Sequence, residues 1–183
     1  MPNELPFRLN RKKTHEVVLW VASKHEGGMD YYRVLKTILD ADVYHLNEYG
    51  RPVTGDEYVA MRYGPVPDFA YQLVKLDPLA IESVGEVALE RLSHGHKDFL
   101  IKATRAPDLK LLSESDIEAL ERSWGRCKDK TFDQLHAMYA DHVAYKKVWA
   151  NKTTDADVMN MADFVEDDSL REELKEVASR IQV

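Results

Sequence analysis

One cysteine is all the chain has. Cys127 alone cannot close an internal disulfide, and such usage fits a reducing compartment. Nor is there an apolar stretch near the ~20 residues that a membrane-crossing helix requires. The opening residues MPNELPFRLNRKKTHEVVLW set Arg8, Arg11, Lys12 and Lys13 before an apolar run of six, Val17 to Ala22. That run is too short for a secretory leader, so the cytoplasm is the expected compartment. A Ser-His-Asp constellation, a Gly-rich phosphate loop and a paired-cysteine motif are missing too. Enzyme is therefore a weakly supported class, with no catalytic residue, cofactor or metal expected.

What is present suits one folded unit. A chain of 183 residues with 44% hydrophobic and 31% charged residues can bury a sizeable core without staples. The net charge is −7, and it is unevenly spread. From Thr154 onward Asp155, Asp157, Asp163, Glu166, Asp167, Asp168, Glu172, Glu173 and Glu176 face only Arg171, Lys175 and Arg180. An acidic end disfavours nucleic acid and suits either a solvated helical face or a basic protein partner.

Hydrophobic spacing predicts mostly helix. A first helix is expected over 14–25, with Thr14 as N-cap and the Gly27-Gly28 pair as its stop. A second runs from Met29 or Asp30 to Tyr49, ended by Gly50. A third runs from Pro67 to about Asp77. EVALERLSHGHKDFLIKATRAP then alternates Val87, Leu89 and Leu92 on one arm with Phe99 and Ile101 on the other, a hairpin turning at Gly95. Ser113 or Ser115 opens a helix to Arg126, with Ser115 and Glu118 as capping box; Thr131 and Gln134 make another. That helix extends or breaks near His142. A short helical turn over 155–165 and an amphipathic helix over 169–181 complete the chain.

The stretch RPVTGDEYVAMRYGPVP, residues 51–67, interrupts this texture. Pro52 and Gly55 reverse the chain. EYVAM reads as a short strand able to pair with the later hairpin. Gly64, Pro65 and Pro67 hold extended backbone before the third helix. The expected fold class is α+β and mainly α-helical: a helical domain with a small antiparallel sheet, a short strand plus a hairpin, in a winged-helix-like order.

The run KTILDADVYHLNEYGRPVTGDEYVAMRYGPVPDFAYQLVK, residues 36–75, resembles the Panacea domain, also called the SocA-like antitoxin domain. The resemblance rests on Lys36, Ala41, Asp42, His45, Leu46, Gly50, Arg51, Pro52, Val53, Thr54, Gly55, Asp56, Tyr63, Gly64, Pro65, Val66 and Pro67. It continues more loosely through LLSESDIEALE and DHVAYKKVWANK, over about residues 14–165. Residues 1–165 are accordingly expected to form the domain, and 166–183 an acidic C-terminal helix packed on or extending from it. The resemblance implies an antitoxin of a bacterial or phage toxin–antitoxin pair that neutralises its toxin by direct protein binding. It also implies that some members hand the toxin to a protease.

Several side chains invite chemistry. Asp42 and His45, three apart on a helix, have the spacing of an acid–base pair or half a metal site. The simpler expectation is that Asp42 accepts hydrogen bonds from the turn backbone or from Arg51, with His45 packed nearby. His94 and His96 read as a polar hairpin tip. Tyr58, Arg62, Tyr63 and Tyr71 around the elbow are the candidate toxin contacts, since Tyr and Arg dominate interface energetics. Asp163, Glu166, Asp167 and Asp168 are candidates for docking on a basic toxin site. The expected partner is a cognate toxin, in a hetero-complex or alongside self-association. A protease is a partner only if the chain is an adaptor. DNA is disfavoured, because PDFAYQLVKLD sets one Lys against two Asp where a recognition helix would lie.

Overall fold

The structure is a computed structural model describing Leu5, residues 7–94 and residues 98–181. Its innermost helix is α1, Arg11–Ala22, with every residue from Thr14 to Ala22 buried. Its second half, apolar all round from Val17 to Ala22, has to be surrounded by other elements. It starts three residues before the expected Thr14, because Asn10 caps it as well as a threonine would. Asn10 Oδ1 accepts from Lys13 N at 3.1 Å, and Thr14 turns its hydroxyl back to Asn10 O. It also ends at Ala22, short of His25.

Strand β1, Met29–Asp30, leads into α2, Tyr31–Tyr49. Asp30 caps α2 at Arg33 N, and Gly50 ends it in the left-handed conformation. This helix is the spine of the protein. Leu35 and Ile38 join the cluster around α1, while Leu39, Val43 and Leu46 join a second one with Tyr58, Tyr145 and Phe164. Each such side chain contributes about 1.5–3 kcal/mol on burial.

Strands β2, Tyr58–Met61, and β3, Gly64–Pro67, form an antiparallel hairpin of their own. This departs from the expected pairing of residues 57–61 with the later hairpin. That hairpin, β4 (Leu89–His94) and β5 (Asp98–Ala103), instead takes β1 as its third strand, in the order β1-β5-β4. The expected turn at Gly95 and the His96 side of its tip lie outside the described residues. The order is helix, strand, helix, hairpin, two helices and hairpin, so the β2–β3 hairpin stands where the expected winged-helix-like order has a single strand, and a further strand, Met29–Asp30, precedes α2. Two residues are too few for alternation to reveal.

The predicted third helix is two. α3, Asp68–Val74, stops before Leu76, whose φ is +59°. α4, Pro78–Val84, then starts with Asp77 as its N-cap and Pro78 in its first turn. Proline ends one helix and opens the next because it needs no N–H at a first turn. α5, Glu114–Cys127, is capped by a Ser113–Asp116 box rather than Ser115–Glu118. α6, Phe132–Ala140, has the expected Thr131–Gln134 box, and the break at His142 becomes the N-cap of α7, Val143–Trp149. The turn expected over 155–165 divides into strand β6, Asp157–Val158, beside β2, and a 3-10 turn, Met161–Phe164. α8, Asp168–Ile181, packs Leu170 and Leu174 against the second cluster.

The N-terminal segment straps the turn after α2. Asn10 N donates to Thr54 O at 3.2 Å, and a Cβ on Gly55, at φ +69°, would lie 2.5 Å from Arg8 O. Gly55→Ala is expected to cost about 1–3 kcal/mol, read as a lower urea midpoint. An unchanged midpoint would show that the strap is free to move away.

Candidate functional site

The residues after α2 are held from beneath by buried carboxyls. Asp42 is fully buried; its Oδ1 accepts from Thr54 N at 2.9 Å, and its Oδ2 from Tyr58 Oη at 2.8 Å and from Thr54 Oγ1. Burial raises its pKa, and these hydrogen bonds oppose the rise. Asp56 does what Pro67 cannot do as N-cap of α3: its two oxygens accept from Phe69 N and Ala70 N at 3.0 and 2.9 Å. Burial pushes this carboxyl up to about 7.

Of the two donors expected for Asp42, the turn backbone is the one found, and Arg51 goes elsewhere. Its guanidinium meets Asp116 at 3.0 Å and Ser113 Oγ at 3.1 Å, not Asp42. His45 Nδ1 donates to Arg51 O at 2.6 Å, since a carbonyl only accepts, which leaves Nε2 as acceptor for Ser115 Oγ at 3.0 Å. Burial lowers the His45 pKa, in keeping with a neutral ring. Asp42 and His45 therefore serve two separate networks and make no acid–base pair.

The β2–β3 hairpin is propped at three points. Tyr145 Oη donates to Met61 O at 2.8 Å, Tyr32 Oη to Tyr63 O at 2.7 Å and Lys36 Nζ to Pro65 O at 2.6 Å. Gly64, at φ +101°, is the residue that admits Lys36, since a Cβ there would lie 2.9 Å from Nζ. Lys36 is 1% exposed, and burial pushes its amine down from 10.5 to about 7. Between those values the unfolded chain holds a proton that the folded chain lacks, so stability rises with pH across this window. Relative to Lys36→Met, the wild type should gain about 3 kcal/mol between pH ~7 and ~10 in urea melts. Parallel pH curves for the two proteins would refute the assignment.

What this scaffold carries is a two-residue turn, Arg62 and Tyr63, both exposed. Tyr63 is 46% exposed and meets the edge of Phe132, itself 45% exposed, with ring centres 5.3 Å apart. Phe132 lies 4.5 Å from Tyr32, His136 stands 6.3 Å from Tyr63, and the Arg62 guanidinium is 5.4 Å from the Tyr63 ring. Aromatic rings and an arginine on a fixed turn make a surface suited to another protein.

The other candidates are placed differently. Tyr58 is fully buried on Asp42 and cannot be a surface contact. Tyr71 is half-buried on α3, paired with Tyr31 at 6.5 Å and Lys75 at 4.9 Å. Asp163 is committed to Lys147, Asp167 caps α8 at Leu170 N, and Asp168 pairs with Arg171. The carboxylate of Glu166 makes no hydrogen bond or salt bridge among the described residues. The sequence does not single out Phe132 and His136, because Phe132, Leu135 and Tyr139 share one helical stripe that reads as core throughout. The stripe overhangs the core at the helix start, and periodicity does not mark that edge.

One group has metal-like composition: the ligand atoms of His15, Glu16 and Glu86 lie within 4.8 Å of one another. Arg105 fills it, donating to both oxygens of Glu16 at 2.8 and 2.7 Å and also to Glu86. It is an ion-pair cluster. Cys127 is buried, and its thiol is pushed up to about 11 by that burial, the opposite of an activated nucleophile.

A family model described as antitoxin SocA-like, Panacea domain, matches residues 34–149. None of the curated proteins and none of the solved structures compared with the chain matches it.

Proposed function

Because the chain belongs to the SocA-like antitoxin family with the Panacea domain, we propose that it neutralises a cognate toxin by binding it directly. The contact surface is the hairpin turn Arg62–Tyr63 together with Phe132 and His136 of α6. The observation that carries this reading is the exposed Tyr63–Phe132 pair on backbone braced by Tyr32, Lys36 and Tyr145. A surface fixed before binding loses little conformational freedom on docking, so more of its contact energy appears as affinity. Masking of a toxin requires no reaction, and the buried Asp42, Asp56 and Lys36 have structural work to do.

Co-expression with the lethal product of a neighbouring reading frame tests this: growth should be restored while toxin levels stay constant. Death at the rate seen with toxin alone would refute it, and falling toxin levels would favour the protease-adaptor reading. A three-stranded sheet in the order β1-β5-β4, with its β4–β5 hairpin after α3 and α4 in the chain, gives a DNA-binding reading some architectural support. Its helix, however, carries Asp68 in the first turn and no base in the last. No DNA shift is expected even at low salt, where electrostatic affinity is strongest.

A further inference from the structure

A second surface lies at the C-terminal end of α6. A cleft of about 270 Å³ opens between α2, α5, α6 and the chain leading into α8, and Asp40, Glu48, Arg122, Arg126, His142 and Glu166 supply its charge and polarity. At its base Asp40 is 1% exposed. Its Oδ1 is satisfied by Arg126 at 2.7 Å and Tyr139 Oη at 2.9 Å. Its Oδ2 has no hydrogen-bond partner among the described residues, since Arg122 Nη1 stays 3.6 Å away. A buried carboxylate oxygen without a donor is costly and favours an incoming one.

The rim repeats that demand. The carboxylates of Glu48 and Glu166 make no hydrogen bond or salt bridge among the described residues. Glu166 is held there by its backbone: Asn47, on α2, accepts from Glu166 N at 2.8 Å and donates to Phe164 O at 3.0 Å. His142 adds no positive charge, because Nδ1 accepts from Ala144 N at 3.2 Å and burial lowers its pKa. The two arginines are already engaged, Arg126 with Asp40 and Arg122 over the Tyr44 ring at 4.1 Å. Three carboxylates against two guanidiniums leave the lining net negative.

We propose that this cleft seats one cationic side chain of the protein partner, its charge between Glu48 and Glu166 and its donor turned to Asp40 Oδ2. Arg122 is the side chain that yields space, being 41% exposed and tied to Asp40 only by the long contact. The proposal rests on the reading that this chain binds another protein, and α6 joins the two surfaces: Phe132 and His136 on the hairpin side, Met138 and Tyr139 in the cleft.

The test uses a small probe and no toxin. N-acetyl-arginine amide is titrated into the full chain and followed by amide chemical shifts. Saturable shifts are expected around residues 40–48, 122–126, 138–142 and 166, with none for N-acetyl-glutamine amide. Glu48→Gln with Glu166→Gln should weaken the arginine probe about 10-fold, leaving the rest of the spectrum unchanged. Equal binding by this variant, shifts spread along the acids of α8, or saturation by N-acetyl-glutamate at Arg122 and Arg126 would each overturn the proposal. These outcomes are independent of whether Tyr63 matters for neutralisation, so the failure of one reading is distinguishable from that of the other.

Discussion

Asp42→Ala should lower the unfolding free energy by about 4 kcal/mol, since removing an acceptor from buried donors costs roughly 1–3 kcal/mol each. The donors stranded are Thr54 N, Thr54 Oγ1 and the Tyr58 hydroxyl, all buried. Against a typical total stability of about 5–15 kcal/mol, such a loss leaves little margin. It also strikes where the fold is organised, because Thr54 Oγ1 in turn accepts from Asp56 N at 3.1 Å, and Asp56 caps α3. The consequence should therefore reach the hairpin and α3 together, in one cooperative loss in urea melts. A change below about 1 kcal/mol, the typical net worth of a single hydrogen bond, would mean that water replaces the carboxyl and that the network is not the brace described. Asp42→Asn is the milder companion: it keeps the shape and one acceptor oxygen, so it should fall between the alanine variant and wild type.

Tyr63→Ala should have the opposite profile, with stability kept and toxin binding lost. A well-placed interface tyrosine costs about 2–3 kcal/mol when truncated, or roughly 30- to 150-fold in Kd. Nearly half of Tyr63 is exposed, and its structural bond to Tyr32 uses the backbone carbonyl, which alanine retains. The melting midpoint should hardly move. Phe132→Ala should weaken binding similarly. Because the two rings touch, the double variant should lose less than the sum of the singles. Tyr71→Ala, on the separate Tyr31 pair, is the control expected to bind within about twofold of wild type, the latitude usual for a residue outside the hot spot. Calorimetric titration of the toxin into each variant separates these outcomes. Equal affinities for wild type and the Tyr63 and Phe132 variants would remove the surface from consideration.

The sequence made the elbow legible and its wiring only partly so. Helix ends marked by Gly50, Thr131 and Gln134 followed from cap chemistry alone. The strand at Tyr58–Met61 was readable from alternation, but its partner was not. Its neighbour β3 contains Pro65 and Pro67, which look like breakers. They are tolerated because β3 lies at the sheet edge. Of the two donors expected for Asp42, the turn backbone and Arg51, the sequence cannot choose: several carboxylates satisfy one guanidinium, and the partnership of Arg51 with Asp116 depends on how α5 packs along α2. Tyr58 and Tyr63 show the limit most sharply. Five residues apart with the same side chain, one lies inside the core and the other at the tip of a turn. Only the hairpin register separates them.

Hydrogen exchange along the chain, with and without bound toxin, tests the central claim most directly. Toxin should slow exchange at residues 61–64 and 131–136, where the hairpin turn meets the start of α6. Unchanged exchange there, with protection confined to α3 and the β4–β5 hairpin, would contradict the account.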